Sequence, residues 1–254
     1  MTIHLFNGFT VDARWPSKLK TGLVCALIET GQGLVLIDTG PGLDDYAHPH
    51  GILKIFRVLF DVPFDVREAA VNQVQRLGYR PDDVRHIVLS HMHFDHCGGL
   101  PDFPHATVHV HRREYESFSS ERLWRWTDLA YVSRHLAQNP EVVLYDSPDG
   151  KWYDFDAIRL PFEPEMWLVP LFGHSRGHCG VAVKTGSGWF FNAADSGAVY
   201  NNKTPAWLIK MVLGPHDSHL RLFMKAHPEI LLVNSHMMPE FFENLNGLAQ
   251  NPVS

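Results

Sequence analysis

Three cysteines in 254 residues, Cys25, Cys97 and Cys179, are too few and too scattered for a disulfide framework. Positive charge is also short: 22 Lys and Arg stand against 28 Asp and Glu, a net charge of −6. That balance lacks the electrostatic footprint of general nucleic-acid binding. Apolar runs such as Ile230–Val233 fall far short of the roughly 18 residues a membrane span needs. The first residues, MTIHLFNGFTVDARW, show no basic region leading into an apolar one. No secretory signal is visible there, and the expectation is a cytoplasmic protein. Repeats, low-complexity tracts and Gly/Ser/Pro linkers are missing as well, so 1–254 reads as a single domain.

What the chain does have is an ordinary globular balance, 45% hydrophobic and 20% charged residues, with one outlier. Seventeen histidines invite a search for metal-ligand spacing. Leu23–Ile28 and Leu34–Ile37, joined by a loop containing Gly31 and Gly33, predict a hairpin that ends in the turn Asp38-Thr39-Gly40-Pro41-Gly42. Asp65–Leu77 predicts a helix, with Asp65 and Glu68 at capping-box positions and Gly78 closing it. His86–Ser90 and Thr107–His111 read as strands, Arg112–Phe118 and Glu121–Ala137 as helices. Strands follow at about Trp167–Leu171, Gly180–Lys184, Trp189–Ala194 and Ile230–Asn234, with helices at His219–Ala226 and Phe241–Ala249. Strand runs in both halves, interleaved with helices, fit two packed sheets with helices outside or one doubly wound sheet.

The decisive stretch is Ser90-His91-Met92-His93-Phe94-Asp95-His96-Cys97-Gly98-Gly99, directly after an apolar strand. In extended backbone His91 and His93 point to the same side, because side chains repeat with period two. On a helix they would sit about 200° apart and could not share a metal. A solvated loop accounts for any one of these histidines. It does not account for three imidazoles and a carboxylate packed together, which suit a borderline metal such as zinc.

His-Met-His-Phe-Asp-His resembles the HxHxDH signature of the metallo-β-lactamase superfamily, and the resemblance extends over nearly the whole chain. It implies a four-layer αβ/βα sandwich: two mixed sheets flanked by helices, with metals on one edge. Leu36-Ile37-Asp38-Thr39-Gly40 is similar to the family's early turn, whose aspartate, here Asp38, supports the site from behind the ligands. Gly173-His174-Ser175-Arg176-Gly177-His178 resembles the GHTxGH element, whose first histidine is a ligand; His178 is then a hydrogen-bonding residue. Asp195 takes the place of the bridging aspartate and His236 that of the last histidine. The implied ligands are His91, His93 and His174 for one metal, and Asp95, His96 and His236 for the other, with Asp195 between them. The implied cofactors are two divalent ions, zinc in the first place and iron or manganese as alternatives. Between them a hydroxide attacks, and Asp95 is the catalytic residue that orients it and carries a proton to the leaving group.

Among the branches, Asp195 argues against the true β-lactamases, and the acidic balance against nucleic-acid processing. A glyoxalase II-like thioesterase is the runner-up, although the tail from Met237 onward holds no Lys or Arg. A mononuclear iron persulfide dioxygenase is carried as another class. The stretches Leu89–Gly99, Arg113-Glu114-Tyr115 and Gly173–Gly180 resemble N-acyl-homoserine lactonases most. Those enzymes place a tyrosine three residues after the bridging aspartate, where its hydroxyl helps bind the substrate carbonyl; this chain has Ala198 there and Tyr200 two positions on, which makes Tyr200 the candidate substrate contact. The expected activity is hydrolysis of an ester, lactone or thioester, lactonase-like, with a small-molecule acyl substrate as partner. Two apolar segments, Ile52–Phe64 and Leu123–Tyr131, are candidates for an acyl-binding wall through Phe60 and Trp126, or for core or a homodimer interface.

Overall fold

The computed structural model describes residues 2–13, 19–49, 51–60, 63–120, 126–138, 140–197, 206–238, 240–242 and 244. Two mixed sheets form. The first runs β1 (Ile3–Ala13), β2 (Leu19–Thr30), β3 (Gly33–Ile37), β4 (Val84–Val88), β5 (Thr107–His111) and β6 (Val142–Tyr145) in spatial order. Its first two pairings are antiparallel and the rest parallel. The second contains β7 (Gly150–Trp152), β8 (Phe155–Leu160), β9 (Met166–Pro170), β10 (Cys179–Thr185), β11 (Gly188–Asn192) and β12 (Ile230–Val233). Only its β11–β12 pair is parallel. A short β13 (His236–Met237) returns to pair with β2, His236 opposite Leu23.

The alternation of β2 shows how the layers arise. Val24, Ala26 and Ile28 face the second sheet and pack with Leu168, Val181 and Val183. Leu23, Cys25 and Leu27 face the other way, onto Tyr46, Leu53, Val74 and Phe94. The period-two geometry of a strand thus buries both faces. A third cluster places Phe191, Val169 and Ala182 against Leu220 and Phe223 of the helix Asp217–Ala226. The result is helix, sheet, sheet, helix, and the doubly wound alternative is excluded.

The hairpin, the strands of the His86–Ser90 and Thr107–His111 runs and the helix Arg112–Phe118 form as expected. Two helices do not. The expected Asp65–Leu77 helix breaks at Ala69 (φ −51°, ψ 131°) into a 3₁₀ turn, Val66–Glu68, and a helix, Ala70–Arg76. Asp65 does cap, accepting from Arg67 N, but Glu68 is drawn away to β1, where it accepts from Thr10 N at 2.7 Å and Thr10 Oγ1 at 2.6 Å. In place of the helix Glu121–Ala137, the described part shows 3₁₀ turns at Trp126–Ala130 and Ser133–Leu136, with Val132 extended between them. Distant ties hold these turns: Tyr131 to Glu114, and Arg134 and His135 to the buried Asp45. Most of Phe241–Ala249 lies outside the described residues. Among the described residues no helix is long and apolar enough to cross a membrane.

Candidate metal centre

The site lies where chain segments leave the strand ends of both sheets. After β4 the chain bends at Ser90, and His93, itself extended (φ −67°, ψ 155°), leads into the single helical turn Phe94–Cys97. That brings Asp95 and His96 back beside His91, whose ring centroid is 3.9 Å from that of His96 and 4.5 Å from that of His93. His174 arrives from the loop between β9 and β10, Asp195 from the end of β11, and His236 from β13. Three overlapping groups result, each with ligand atoms within 4.8 Å of one another: His91, His93 and His174; His91, His96 and Asp195; Asp95, His96 and His236. Asp195 stands between the sets, with Oδ2 3.3 Å from His174 Nε2 and 3.6 Å from His236 Nε2. Asp95 Oδ2 is 3.3 Å from His236 Nε2.

The outer ring nitrogens are tied down, and this orients the inner ones. His96 Nδ1 donates to Asp38 Oδ2 at 2.9 Å. Ser90 Oγ gives its one proton to the same oxygen at 2.7 Å, so it accepts from His91 Nδ1 at 3.0 Å. His174 Nδ1 donates to Val212 O at 2.8 Å. The Nε2 atoms of His91, His93 and His96 and Oδ1 of Asp195 are buried with no hydrogen-bond partner among the described residues. Buried polar atoms are rarely left so, because each costs about 1–3 kcal/mol. Three of them, His91 Nε2, His96 Nε2 and Asp195 Oδ1, belong to one such group, while His93 turns its Nδ1 to within 3.1 Å of His174 Nε2; this donor-set chemistry fits divalent metal ions.

Charge tells the same story. Burial disfavours ionising Asp195, yet His236, His174 and His96 bring its carboxyl down to about 2. Burial works against Asp95 too, and His96 and His236 still hold it below the usual carboxylate range. For His96 burial opposes protonation, but Asp95, Asp38 and Asp195 outweigh it and push the ring up to about 10. His91 and His93 shift down through burial and the repulsion of neighbouring imidazoles. The centre therefore attracts positive charge to a place where its histidines cannot all carry protons. Two residues beside it, Asp38 (φ +54°) and Ala194 (φ +47°), hold left-handed backbone, strain of the kind that collects at functional sites.

Support comes from residues around the ligands. Asp38 is fully buried and also accepts from Ser90 N at 2.8 Å, so one carboxylate fixes the loop and the His96 ring together. His178 Nδ1 donates to Leu171 O at 3.0 Å and its Nε2 accepts from Asp195 N at 3.0 Å, holding the strand end that carries Asp195. Glu114, in the helix after β5, was not singled out by sequence as a site residue. It is fully buried and accepts four hydrogen bonds, from Met92 N, Tyr131 Oη, Ser175 Oγ and Gly177 N. A buried helical glutamate carries no residue-level signal that separates it from an exposed one. Gly177 is glycine because a Cβ there would come within 2.2 Å of Glu114 N.

A cleft of about 210 Å³ opens onto the centre, lined by His93, Asp95, His174 and Asp195 on one side. Ile52, Phe94, Leu129 and Ala130 give it an apolar wall, with Thr127 as the polar exception. Both apolar segments thus reach the cleft, through Ile52 and through Leu129 and Ala130. Of the three residues expected to contact substrate, Tyr200 and the side chains of Phe60 and Trp126 lie outside the described residues.

Two mixed sheets, flanking helices and a His/Asp cluster at the strand ends define a class of metal-site α/β sandwich. The model of the metallo-beta-lactamase superfamily matches residues 23–188, and the chain belongs to that family. A probable metallo-hydrolase of Mycobacterium tuberculosis is 40% identical over 200 residues, 76% of this chain and 62% of the relative. An N-acyl homoserine lactonase of Rhizobium radiobacter is 36% identical over 147 residues, 56% of this chain and 50% of the relative. The chain therefore spans between half and two thirds of the length of these relatives. Among solved structures, an N-acyl homoserine lactone hydrolase with N-hexanoyl-L-homoserine bound at its catalytic metal centre superposes with a TM-score of 0.67. It is 20% identical, and the match covers 95% of each chain. At that identity the likeness speaks for the fold.

Proposed function

We propose that the protein is a dinuclear metal-dependent hydrolase of an ester, lactone or thioester bond, with a lactone as the preferred class. The observation that carries this is the convergence of partnerless His91 Nε2, His96 Nε2 and Asp195 Oδ1 between two further ligand groups. His91, His93 and His174 would hold one divalent ion, Asp95, His96 and His236 the second, and Asp195 both. Zinc suits this nitrogen-rich set, with manganese or iron as alternatives. Such ions supply Lewis acidity toward a carbonyl oxygen and bring the pKa of water toward ~7.

The chain's own residues do the rest. Asp195 and Asp95 place two negative charges between the histidine groups, and Asp95 also lines the cleft. A carboxylate oxygen of Asp95 takes the proton of the attacking water and returns it to the leaving oxygen or sulfur. Ile52, Phe94, Leu129 and Ala130 exclude water from one side and receive the acyl portion. The lactonase relative and the product-bound neighbour support a lactone over a thioester.

Elemental analysis together with hydrolysis of N-acyl lactones, acyl thioesters and aryl esters tests the reading. Two zinc-like ions per chain and lactone opening are expected. Each added acyl methylene should raise kcat/KM about fourfold until the apolar wall is filled, the equivalent of ~0.8 kcal/mol. One iron per chain with sulfur oxidation and no hydrolysis would overturn it.

A further inference from the structure

We infer that Glu114 is a positioning residue that sets the separation of the two loops carrying the three-histidine ligand group. The inference rests on the metal reading above, but names a residue outside the ligand set. Glu114 Oε1 accepts from Met92 N at 2.9 Å, between His91 and His93 in the chain, and from Tyr131 Oη at 3.0 Å. Its Oε2 accepts from Ser175 Oγ at 2.6 Å and Gly177 N at 2.9 Å, in the loop that carries His174. One side chain thus joins the loop of His91 and His93 to the loop of His174. Tyr131, the remaining donor, lays its ring 5.1 Å from that of His93. The other group is anchored elsewhere: His96 by Asp38, and His236 by its pairing with β2.

The chemistry of the four donors makes the requirement strict. A carboxylate offers two oxygens that only accept, and here all four partners donate. Glutamine at this position has one oxygen and one NH₂. The hydroxyls of Tyr131 and Ser175 can rotate to accept from that NH₂; the backbone N–H groups of Met92 and Gly177 cannot. Whichever way the amide is turned, one of these two N–H groups is left buried without a partner, and one loop is released. Aspartate, shorter by a methylene, cannot reach both loops at once.

The test measures Zn²⁺ affinity by competition with a chromophoric chelator, with the two ligand groups separated by background. A His236→Ala background leaves the three-histidine group, and a His174→Ala background leaves Asp95, His96 and His236. Glu114→Gln is expected to weaken Zn²⁺ about 10- to 100-fold in the first background, the usual effect of losing support behind a ligand. In the second the change should stay below about threefold. Amide hydrogen exchange should show lost protection at Met92 N or Gly177 N, but not at both. Tyr131→Phe removes one of the four hydrogen bonds with little threat to folding. It should weaken the three-histidine group alone, by about threefold, and so keeps the test open if Glu114→Gln does not fold.

Equal weakening in both backgrounds, or none in either, overturns the inference and makes Glu114 a general brace of the core. Absence of Zn²⁺ binding in the unmodified protein overturns the metal reading, and this inference with it. Intact binding with an unselective effect overturns only the role of Glu114.

Discussion

Two clusters of histidines among the described residues differ in where their ring nitrogens end. Around His91 the outer nitrogens are tied to Ser90, Asp38 and Val212 O, while His91 Nε2 and His96 Nε2 are buried without partners. Around His109 the ring is satisfied from within the cluster: Nδ1 lies 2.9 Å from Tyr145 Oη and Nε2 lies 3.1 Å from His86 Nδ1. Both clusters are at least partly buried and both hold imidazoles in close contact. Burial and proximity therefore do not distinguish a metal centre from a structural pair. Partnerless, convergent lone pairs beside carboxylates do.

The sharpest way to break this contrast is to change one carboxylate and one histidine and follow metal and turnover together. Asp95→Asn, refilled with metal, should lose about 10²–10⁴-fold in kcat on a lactone beyond what its metal loss explains. His109→Phe should leave both metal content and kcat unchanged. Near-normal turnover in metal-replete Asp95→Asn would reduce Asp95 to a ligand, and metal loss in His109→Phe would remove the distinction between the clusters.

The sequence made the candidate ligand cluster legible because its spacing is local and chemical. His91 through His96 sit within one strand end and one turn, and only donor atoms can explain that density. Asp195, His174 and His236 needed the family pattern to join them, and the fold brings all three to the same point. The layers were legible as well, through period-two runs such as Leu23–Ile28. What stayed hidden depended on distant partners. Glu68 leaves its capping-box role for Thr10, 58 positions away in the chain. The 126–136 segment gives up a continuous helix for ties to Glu114 and Asp45. β1 was missed because Gly8 and a register irregularity between Asn7 and Thr10 interrupt its alternation. The burial of Glu114 follows from the meeting of two loops that no residue pattern announces.

A smaller effect is expected at His178, which belongs to the candidate metal cluster in space but to the satisfied kind by its bonding. His178→Phe leaves Leu171 O and Asp195 N buried without their partners. About 2–4 kcal/mol of stability should be lost, read as a lower denaturant midpoint at unchanged slope. Metal should also be held less tightly, since Asp195 loses its backbone anchor. If the midpoint moves and the metal affinity does not, His178 serves the sheet and not the site.

The smallest expected effect concerns acid, and it belongs to the His109 cluster. Burial, joined by repulsion from His86, lowers the His109 ring to about 4, below its ordinary value. His86 is itself lowered, first by burial, with Glu141 working against that and Arg85 adding to it; Tyr145 and Phe162 complete the surroundings of His109. The unfolded chain therefore binds a proton at His109 near pH 6.5, while the folded chain resists it until about pH 4. This stabilising contribution is full above pH ~6.5 and is lost as the pH falls through that window. His109→Phe removes the group that titrates. Between pH 7 and pH 4.5 the variant should lose about 2 kcal/mol less unfolding free energy than the unmodified protein, with both stripped of metal so that the ligand cluster cancels in the difference. Equal slopes for the two proteins across that range would mean that His109 protonates in the folded state as easily as in the unfolded one. The hydrogen-bonded chain from Tyr145 to His86 would then accommodate a charge, and the boundary between a satisfied cluster and a cation-seeking one would have to be drawn from the carboxylates alone.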